Sequence, residues 1–319
     1  MLDHLDIRNF RIFEELRING LNRINLFAGK NNAGKTALLE ALRIWAAQGD
    51  STVVNHIISK RNEFTPGWSE SYDSLFFRPK LYEQRNDEDL YIQINELSIY
   101  RRKSLQHSTY CELYWKHKPS STQLNPTIPT NFPKDSAVFI PFGNGDDFPV
   151  QQFWDQIVLT PLEDDVLHIL REAILPDLKR IDVKKERTLV RLEGEPTPIS
   201  FNNLGDGATR ILQLAIGLAS ARGKMLLIDE IESGLHHSIQ ETLWEKIFYY
   251  AQKWDIQVFA TTHSQDTVRA FKYTQEKRRG VPAGAYFRLQ QARKTGKIEA
   301  IEYGMEDLEV SLLANLESR

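Results

Sequence analysis

A single cysteine, Cys111, stands among 319 residues. An internal disulfide is therefore excluded, as are C-x-x-C metal or redox motifs. No pair of histidines has H-x-x-H spacing, so a histidine-based nuclease site of that type is absent too. There is no run of 18 apolar residues and no charged-then-apolar leader, which argues against a membrane span and a secretory signal. Charge of one sign is also lacking: 40 Lys and Arg against 43 Asp and Glu leave a net charge of −3. With no global basic excess, any contact with nucleic acid has to be local. These absences predict a soluble, cytoplasmic protein with no membrane contact. Cys111 itself, between Tyr110 and Glu112 in a strand-like stretch, reads as a packing residue rather than a nucleophile. With 41% apolar residues the chain can bury a substantial core, so one large domain with an insertion is expected rather than two independent ones.

What is present is concentrated in a few short segments. Gly29-Lys30-Asn31-Asn32-Ala33-Gly34-Lys35-Thr36 matches G-x-x-x-x-G-K-[ST]. It lies between an apolar strand, Ile24-Asn25-Leu26-Phe27-Ala28, and a helix opening at Lys35 with Leu38, Leu39, Leu42 and Trp45 on one face. Glycines let the backbone wrap a phosphate, and the helix start offers N–H donors to it. The motif predicts a nucleoside triphosphate, held by Gly29, Asn31, Asn32, Ala33, Gly34, Lys35, Thr36 and Ala37. Lys35 should reach the β- and γ-phosphates, and the Thr36 hydroxyl should take one position on Mg²⁺.

A second apolar run, Lys224-Met225-Leu226-Leu227-Ile228, ends in Asp229-Glu230. It reads as a buried parallel strand with acids at its C-terminal edge, where open α/β sheets place their ligands. Asp229 would hold Mg²⁺ and Glu230 would polarise the attacking water. A third segment, Leu204-Gly205-Asp206-Gly207-Ala208-Thr209-Arg210, precedes a helix with Ile211, Leu214 and Leu218 on its core side, a second glycine-rich turn at a helix start. A fourth is the strand Ile256-Gln257-Val258-Phe259-Ala260-Thr261, ending at Thr262-His263-Ser264.

Taken in order, with Glu232-Ser233-Gly234-Leu235-His236 after the paired acids, these segments resemble the Walker A, signature, Walker B with D-loop, and H-loop of an ABC-type ATPase head. Within such heads the pattern is similar to the RecF, SMC and overcoming-lysogenization-defect (OLD) group rather than to membrane transporters. Leu5-Asp6-Ile7-Arg8-Asn9-Phe10-Arg11-Ile12-Phe13, followed by Asn31-Asn32-Ala33-Gly34-Lys35-Thr36-Ala37-Leu38-Leu39-Glu40, resembles the opening of that group. The likeness covers about residues 1 to 48 and 198 to 265. It implies an α/β P-loop NTPase fold of ABC-head type: a mixed sheet flanked by helices, with an antiparallel β subregion and a short helical arm insertion.

It further implies an ATP-sandwich homodimer in which the Walker A of one chain faces the signature turn of the other. Lys35, Glu230 and His263 would then be catalytic, with His263 at the γ-phosphate and Thr36 and Asp229 at the metal. Gly205, Asp206, Gly207 and Arg210 would lie against the partner's nucleotide. Transporter signatures carry serine where this chain has Gly205, which fits the OLD-like branch better. Arg210 stays open between a stabilising group in trans and a helix-surface cation, the commoner role for such a residue. Gln93 is a candidate for the Q-loop glutamine or an ordinary strand residue. His236-His237 would line the dimer seam or start a helix.

Elsewhere the pattern divides the chain into a nucleotide-binding core (1–50 and 198–319), a β-rich subregion with a loop (51–150) and a helical arm region (151–197). Residues 51–118 are expected to mix a loop with alternating strands. Residues 91–100 form the clearest strand, pairing with 109–116, and Arg101-Arg102-Lys103 sits at a hairpin between them, as a solvated turn or a DNA contact. Residues 118–150 should be largely loop. Residues 153–175 read as helical, broken near Pro161 and ended by Pro176, with Val166, Leu167, Leu170 and Ile174 on one face. Residues 189–192, 285–289 and 297–301 read as strands and a helix is expected from about Asp307. After His263 about fifty residues follow; a TOPRIM nuclease domain needs roughly a hundred, plus a glutamate and an Asp-x-Asp pair. The expectation is a stand-alone OLD-like head lacking that domain. Its dimer would control a separate effector, a TOPRIM-type nuclease among the candidates, in phage or plasmid defence. Two alternatives are a RecF-like DNA-binding ATPase of repair and a slow nucleotide-sensing scaffold.

Overall fold

The computed structural model describes residues 1–63, 69–77, 90–103, 109–115, 118–124, 137–143, 148–184, 187–278, 284–304 and 307. Its centre is a six-stranded mixed sheet in the order β15-β14-β3-β13-β12-β8. Five members run parallel: β3 (Ile24–Ala28), β8 (Ala137–Ile140), β12 (Met225–Ile228), β13 (Gln257–Thr262) and β14 (Gly284–Gln291). β15 (Ile298–Tyr303) closes the edge antiparallel to β14. Every residue of β3 and β13 is buried, because a parallel sheet is covered on both faces; both strands are mainly apolar, with Asn25 in β3 and Gln257, Thr261 and Thr262 in β13 as buried polar residues.

One face carries Leu26, Leu226, Ile228, Val258 and Ala260, packed under α3 (Val150–Ile157), α4 (Pro161–Ala173), α5 (Asp206–Ser220), α6 (His237–Lys253) and α7 (Gln265–Lys277). The other carries Phe27, Leu227, Phe259 and Phe287, with Phe27 stacked on Phe287 at 5.2 Å. Against this face lies α1 (Lys35–Ala46), and beyond α1 comes a second, antiparallel sheet in the order β2-β1-β4-β5-β6-β7. Its strands are β1 (His4–Phe10), β2 (Phe13–Asn19), β4 (Leu90–Ile94), β5 (Leu97–Lys103), β6 (Thr109–Trp115) and β7 (Lys118–Leu124). In β1 Leu5 and Ile7 are fully buried while Asp6 and Arg8 alternate with them, a period-2 pattern that fixes register. A small sheet, β11-β10-β9, built from β9 (Leu178–Val183), β10 (Thr188–Leu192) and β11 (Ile199–Ser200), leads into the glycine turn before α5.

The sequence expectations need several corrections. Residues 51–60 form α2 (Ser51–Lys60), capped by Asp50, whose side chain accepts the Thr52 amide. Residues 91–100 are two strands: Asn95, in left-handed backbone at φ 47°, turns β4 into β5. Arg101, Arg102 and Lys103 belong to β5, paired with β6, rather than to a turn. Residues 118–150 hold β7 and β8. The helix expected from Asp307 lies outside the described residues, save Asp307 itself. Cys111 is buried in the core, without a disulfide. Among the described residues no helix is long and apolar enough to cross a membrane.

Candidate nucleotide site

The phosphate loop joins the C-terminal end of β3 to α1, at the edge where β13 and β12 also end. Gly34 has φ 91° and caps α1 without a side-chain hydrogen bond, so the first helical amides keep their donors for a ligand. A Cβ on Gly34 would come within 2.7 Å of Ile12 Cδ1 and 2.8 Å of Phe13 Cζ; one on Gly29 would meet the Leu289 carbonyl oxygen at 2.7 Å. The loop is therefore pressed between the β1–β2 turn and β14, and glycine is required at both ends. Asn31, Asn32 and Thr36 are exposed, while Ala33, Lys35 and Ala37 are buried. Lys35 Nζ donates to the carbonyls of Gly29 at 2.9 Å and Lys30 at 3.2 Å.

Thr36 Oγ1 donates to Asp229 Oδ2 at 2.8 Å, and Thr261 Oγ1 donates to Asp229 Oδ1 at 2.6 Å. Both Asp229 oxygens are thus held by hydroxyls, one from the start of α1 and one from the end of β13. Glu230 follows in left-handed backbone at φ 44°, its amide donating to Thr261 Oγ1 at 2.8 Å. A non-glycine residue in that region carries strain, and such strain clusters at sites. His263 Nδ1 lies 3.5 Å from Glu230 Oε2 and 3.1 Å from Glu232 Oε1, with about half of its side chain exposed. Glu232 Oε1 also accepts the amides of His263 at 2.9 Å and Ser264 at 3.2 Å. Sequence reasoning gave Glu232 no role, because the strand end that it clamps lies some thirty residues away along the chain.

Gly205, at φ 87°, and Asp206 are exposed at the start of α5, and nothing lies within 4 Å of where a Gly205 Cβ would stand. Gly207 packs against the loop after the paired acids, where its Cβ would sit 2.9 Å from the Gly234 carbonyl oxygen. Arg210 is not the helix-surface cation expected: it is 0% exposed. Its guanidinium donates to the Pro141 carbonyl at 2.7 Å, the Asp229 carbonyl at 2.7 Å and the Glu230 carbonyl at 3.1 Å, all in its own chain. Burial pushes the guanidinium down to about 10, with the charges of Asp229, Glu232 and Glu230 pulling the other way, so it stays cationic at neutral pH. Gln93 lies on β4 in the antiparallel sheet, donating to the Asn95 carbonyl, and is not part of this site. His236 starts α6 as its N-cap, Nδ1 accepting the Ser238 amide.

A cleft of about 1230 Å³ opens over the loop, lined by residues 30–37, Glu230, Arg11, Ile12 and β14 residues Arg288, Leu289, Gln290 and Gln291 among others. Arg11, in the β1–β2 turn at φ 54°, is buried and paired with Glu40 at 3.2 Å and Glu63 at 2.5 Å. Arg61 holds the other Glu40 oxygen at 2.6 Å. Burial raises the Glu40 carboxyl, against the pull of the two guanidiniums. Only the Asn9-Phe10-Arg11-Ile12 stretch of the opening motif pointed towards Arg11.

Comparisons with known proteins agree with this geometry. Residues 142–269 match the family described as AAA domain, putative AbiEii toxin, Type IV TA system, and residues 1–66 match the AAA ATPase domain family. An ATP/GTP phosphatase of Helicobacter pylori is 24% identical over 324 residues, covering 84% of this chain and 86% of that protein. An uncharacterized protein of Methanocaldococcus jannaschii is 37% identical over 82 residues, 24% of this chain and 36% of that protein. Among solved structures, an SMC head bound to the C-terminal winged-helix domain of ScpA aligns with a TM-score of 0.60 at 13% identity, covering 95% of this chain and 98% of that one. An SMC head with an extended coiled coil, bound to the C-terminal domain of ScpA from Pyrococcus furiosus, aligns with a TM-score of 0.56 at 11% identity, covering 99% of each chain. The chain therefore has the fold of the SMC and ABC ATPase heads, and two of its stretches are similar to AAA-family ATPase domains.

Proposed function

We propose that this chain hydrolyses ATP in the cleft over the phosphate loop, closes with a second copy around two nucleotides, and through that closure controls an effector on a separate chain. The observation that carries the reading is the array Thr36–Asp229–Thr261, with Glu230 and His263 directly beyond it. Thr36 and Asp229 fit a magnesium ion: both present hard oxygen donors at the loop, and Mg²⁺ takes one or two such groups and completes its shell with phosphate oxygens and water. Among the described residues no three His, Cys, Asp or Glu form a cage of their own. When bound, the ion would neutralise charge on the β- and γ-oxygens.

Lys35 would exchange its two loop carbonyls for phosphate oxygens. Glu230 would orient the attacking water and accept its proton, and His263, beside it, would contact the γ-phosphate. The turn Gly205-Asp206-Gly207, exposed at 205 and 206, opens α5 and supports a role towards a second copy's nucleotide, since a helix start offers N–H donors to a phosphate. Within the SMC and ABC heads we infer an OLD-like relationship, from the opening motif and the glycine at 205. The effector is inferred to be a nuclease of TOPRIM type acting in phage or plasmid defence. The partner domain bound by the SMC heads supports partner control in this architecture.

The test is the molar mass in solution of Glu230→Gln with and without MgATP, with short duplex DNA as a third condition. Doubling of mass with MgATP alone is expected. A closed dimer only when DNA is present would replace this reading with a RecF-like DNA clamp, and no change in any condition would overturn the sandwich dimer.

A further inference from the structure

Arg210 joins two strand ends from one buried position. It leaves the second helical turn of the glycine-opened α5 and meets the carbonyls of Pro141, Asp229 and Glu230, at the ends of β8 and β12. Its Nη1 also approaches Gln213 Oε1 at 3.5 Å, an intrahelical contact. The carbonyls it binds belong to the peptide units that set the direction of the two acids, and Glu230 sits in strained left-handed backbone. A strained conformer persists only where surrounding contacts over-determine it. Here the carbonyl side is held by Arg210 and by the Ser233 amide at 2.9 Å, and the amide side by Thr261. One turn earlier in α5, Gly207 lies beside the same loop, where an added Cβ would sit 2.9 Å from the Gly234 carbonyl oxygen.

We propose that Arg210 is a positioning residue acting in cis: it holds Glu230 in its working conformation and links the exposed turn at 205–207 to the general base of its own chain. A displacement of the turn, such as engagement of a second copy's nucleotide would produce, is then delivered to Glu230 through a charged strut rather than through solvent. This deepens the proposed function and rests on it, specifically on Glu230 as base. It replaces the idea of Arg210 as a group reaching across the dimer, because the side chain is buried and both of its terminal nitrogens bond within its own chain.

The test uses the full-length protein with Arg210→Met and Arg210→Lys, read by nucleotide Kd, steady-state kcat and KM, and thermal melting. Arg210→Met is expected to bind MgATP within about threefold of the parent chain and to lose about 10- to 100-fold in kcat, the usual cost of removing a second-layer partner. Arg210→Lys keeps the charge and recovers part of kcat. A mixing experiment separates cis from trans. In a mixed dimer of Arg210→Met and Glu230→Gln, one composite site has an intact base in one chain and an intact Arg210 in the other. Action in cis predicts no recovery on mixing; recovery would overturn the proposal. So would an unchanged kcat in Arg210→Met beside an inactive Glu230→Gln. If Glu230→Gln itself turns over normally, the reading of the base falls, and the proposal with it. Should Arg210→Met fail to fold, Arg210→Lys decides alone: a lowered kcat with Kd kept supports the proposal and an unchanged kcat overturns it.

Discussion

Lys35 spends its ammonium on two carbonyls of the loop that it serves, so an arriving phosphate replaces neutral acceptors with charged ones. Lys35→Ala should raise the Kd for MgATP by about 100-fold, the upper range for losing a hydrogen bond to a charged group, and equilibrium binding of a fluorescent ATP analogue measures it. Retained tight binding would sink the phosphate-loop assignment. Gly34→Ala strikes the same loop sterically: φ 91° disfavours a side chain, and the added methyl would press on Ile12 and Phe13. A loss of about 1–3 kcal/mol is expected, checked by denaturant unfolding. That Thr36, Asp229, Glu230 and His263 would meet beside the loop of Lys35 was legible in the sequence, because each sits in a short local pattern at a strand or helix end. The contacts of Arg210 and Glu232 were not. Their partners lie at sequence separations of 19 to 69 residues for Arg210 and of 31 and 32 for Glu232, and only folding brings those carbonyls and amides within reach.

Among the elements, those around the site were the easiest to read: β3, β12 and β13 are apolar runs and α5 buries nearly a whole flank. α7 escaped because it buries only Thr267, Val268, Ala270, Phe271 and Thr274, and because Ser264, read as part of a site motif, is its N-cap. α2 had a signal, Asp50 followed by Val53, Val54, Ile57 and Ile58 at helical spacing, which an expectation of alternating strands passes over. β8 is four residues in a polar stretch, and only its pairing with β12 makes it a strand. The α6–α7 junction rests on aromatic rings, with Trp244 to Phe271 at 5.0 Å and Phe248 to Phe271 at 5.6 Å. Phe271→Ala should cost about 3–5 kcal/mol in chemical unfolding. Because Phe271 lies away from the cleft, the nucleotide Kd below the transition should stay unchanged; a large Kd change would mean that the helix pair is coupled to the loop.

For the whole molecule, binding to the folded state alone stabilises by mass action. At nucleotide concentrations a hundredfold above Kd, MgATP should add about 2.7 kcal/mol to the stability of Glu230→Gln. If binding and dimer closure are linked, the shift in melting temperature should also grow with protein concentration. A concentration-independent shift would point to nucleotide held by single heads.

The strand that carries the phosphate loop has a further consequence, for synthesis. Among the described residues β3 hydrogen-bonds laterally to β13 and β14 alone, that is, to residues 257–262 and 284–291. On a ribosome, more than two hundred residues are made after the phosphate loop before the strand beneath it has a neighbour. During that wait the antiparallel sheet can pair β1 with β2 and then with β4, while β3 stays unzipped. Capture of ATP thus becomes a sign that translation has passed β14, and chains released before that point carry the binding motif without the ability to use it.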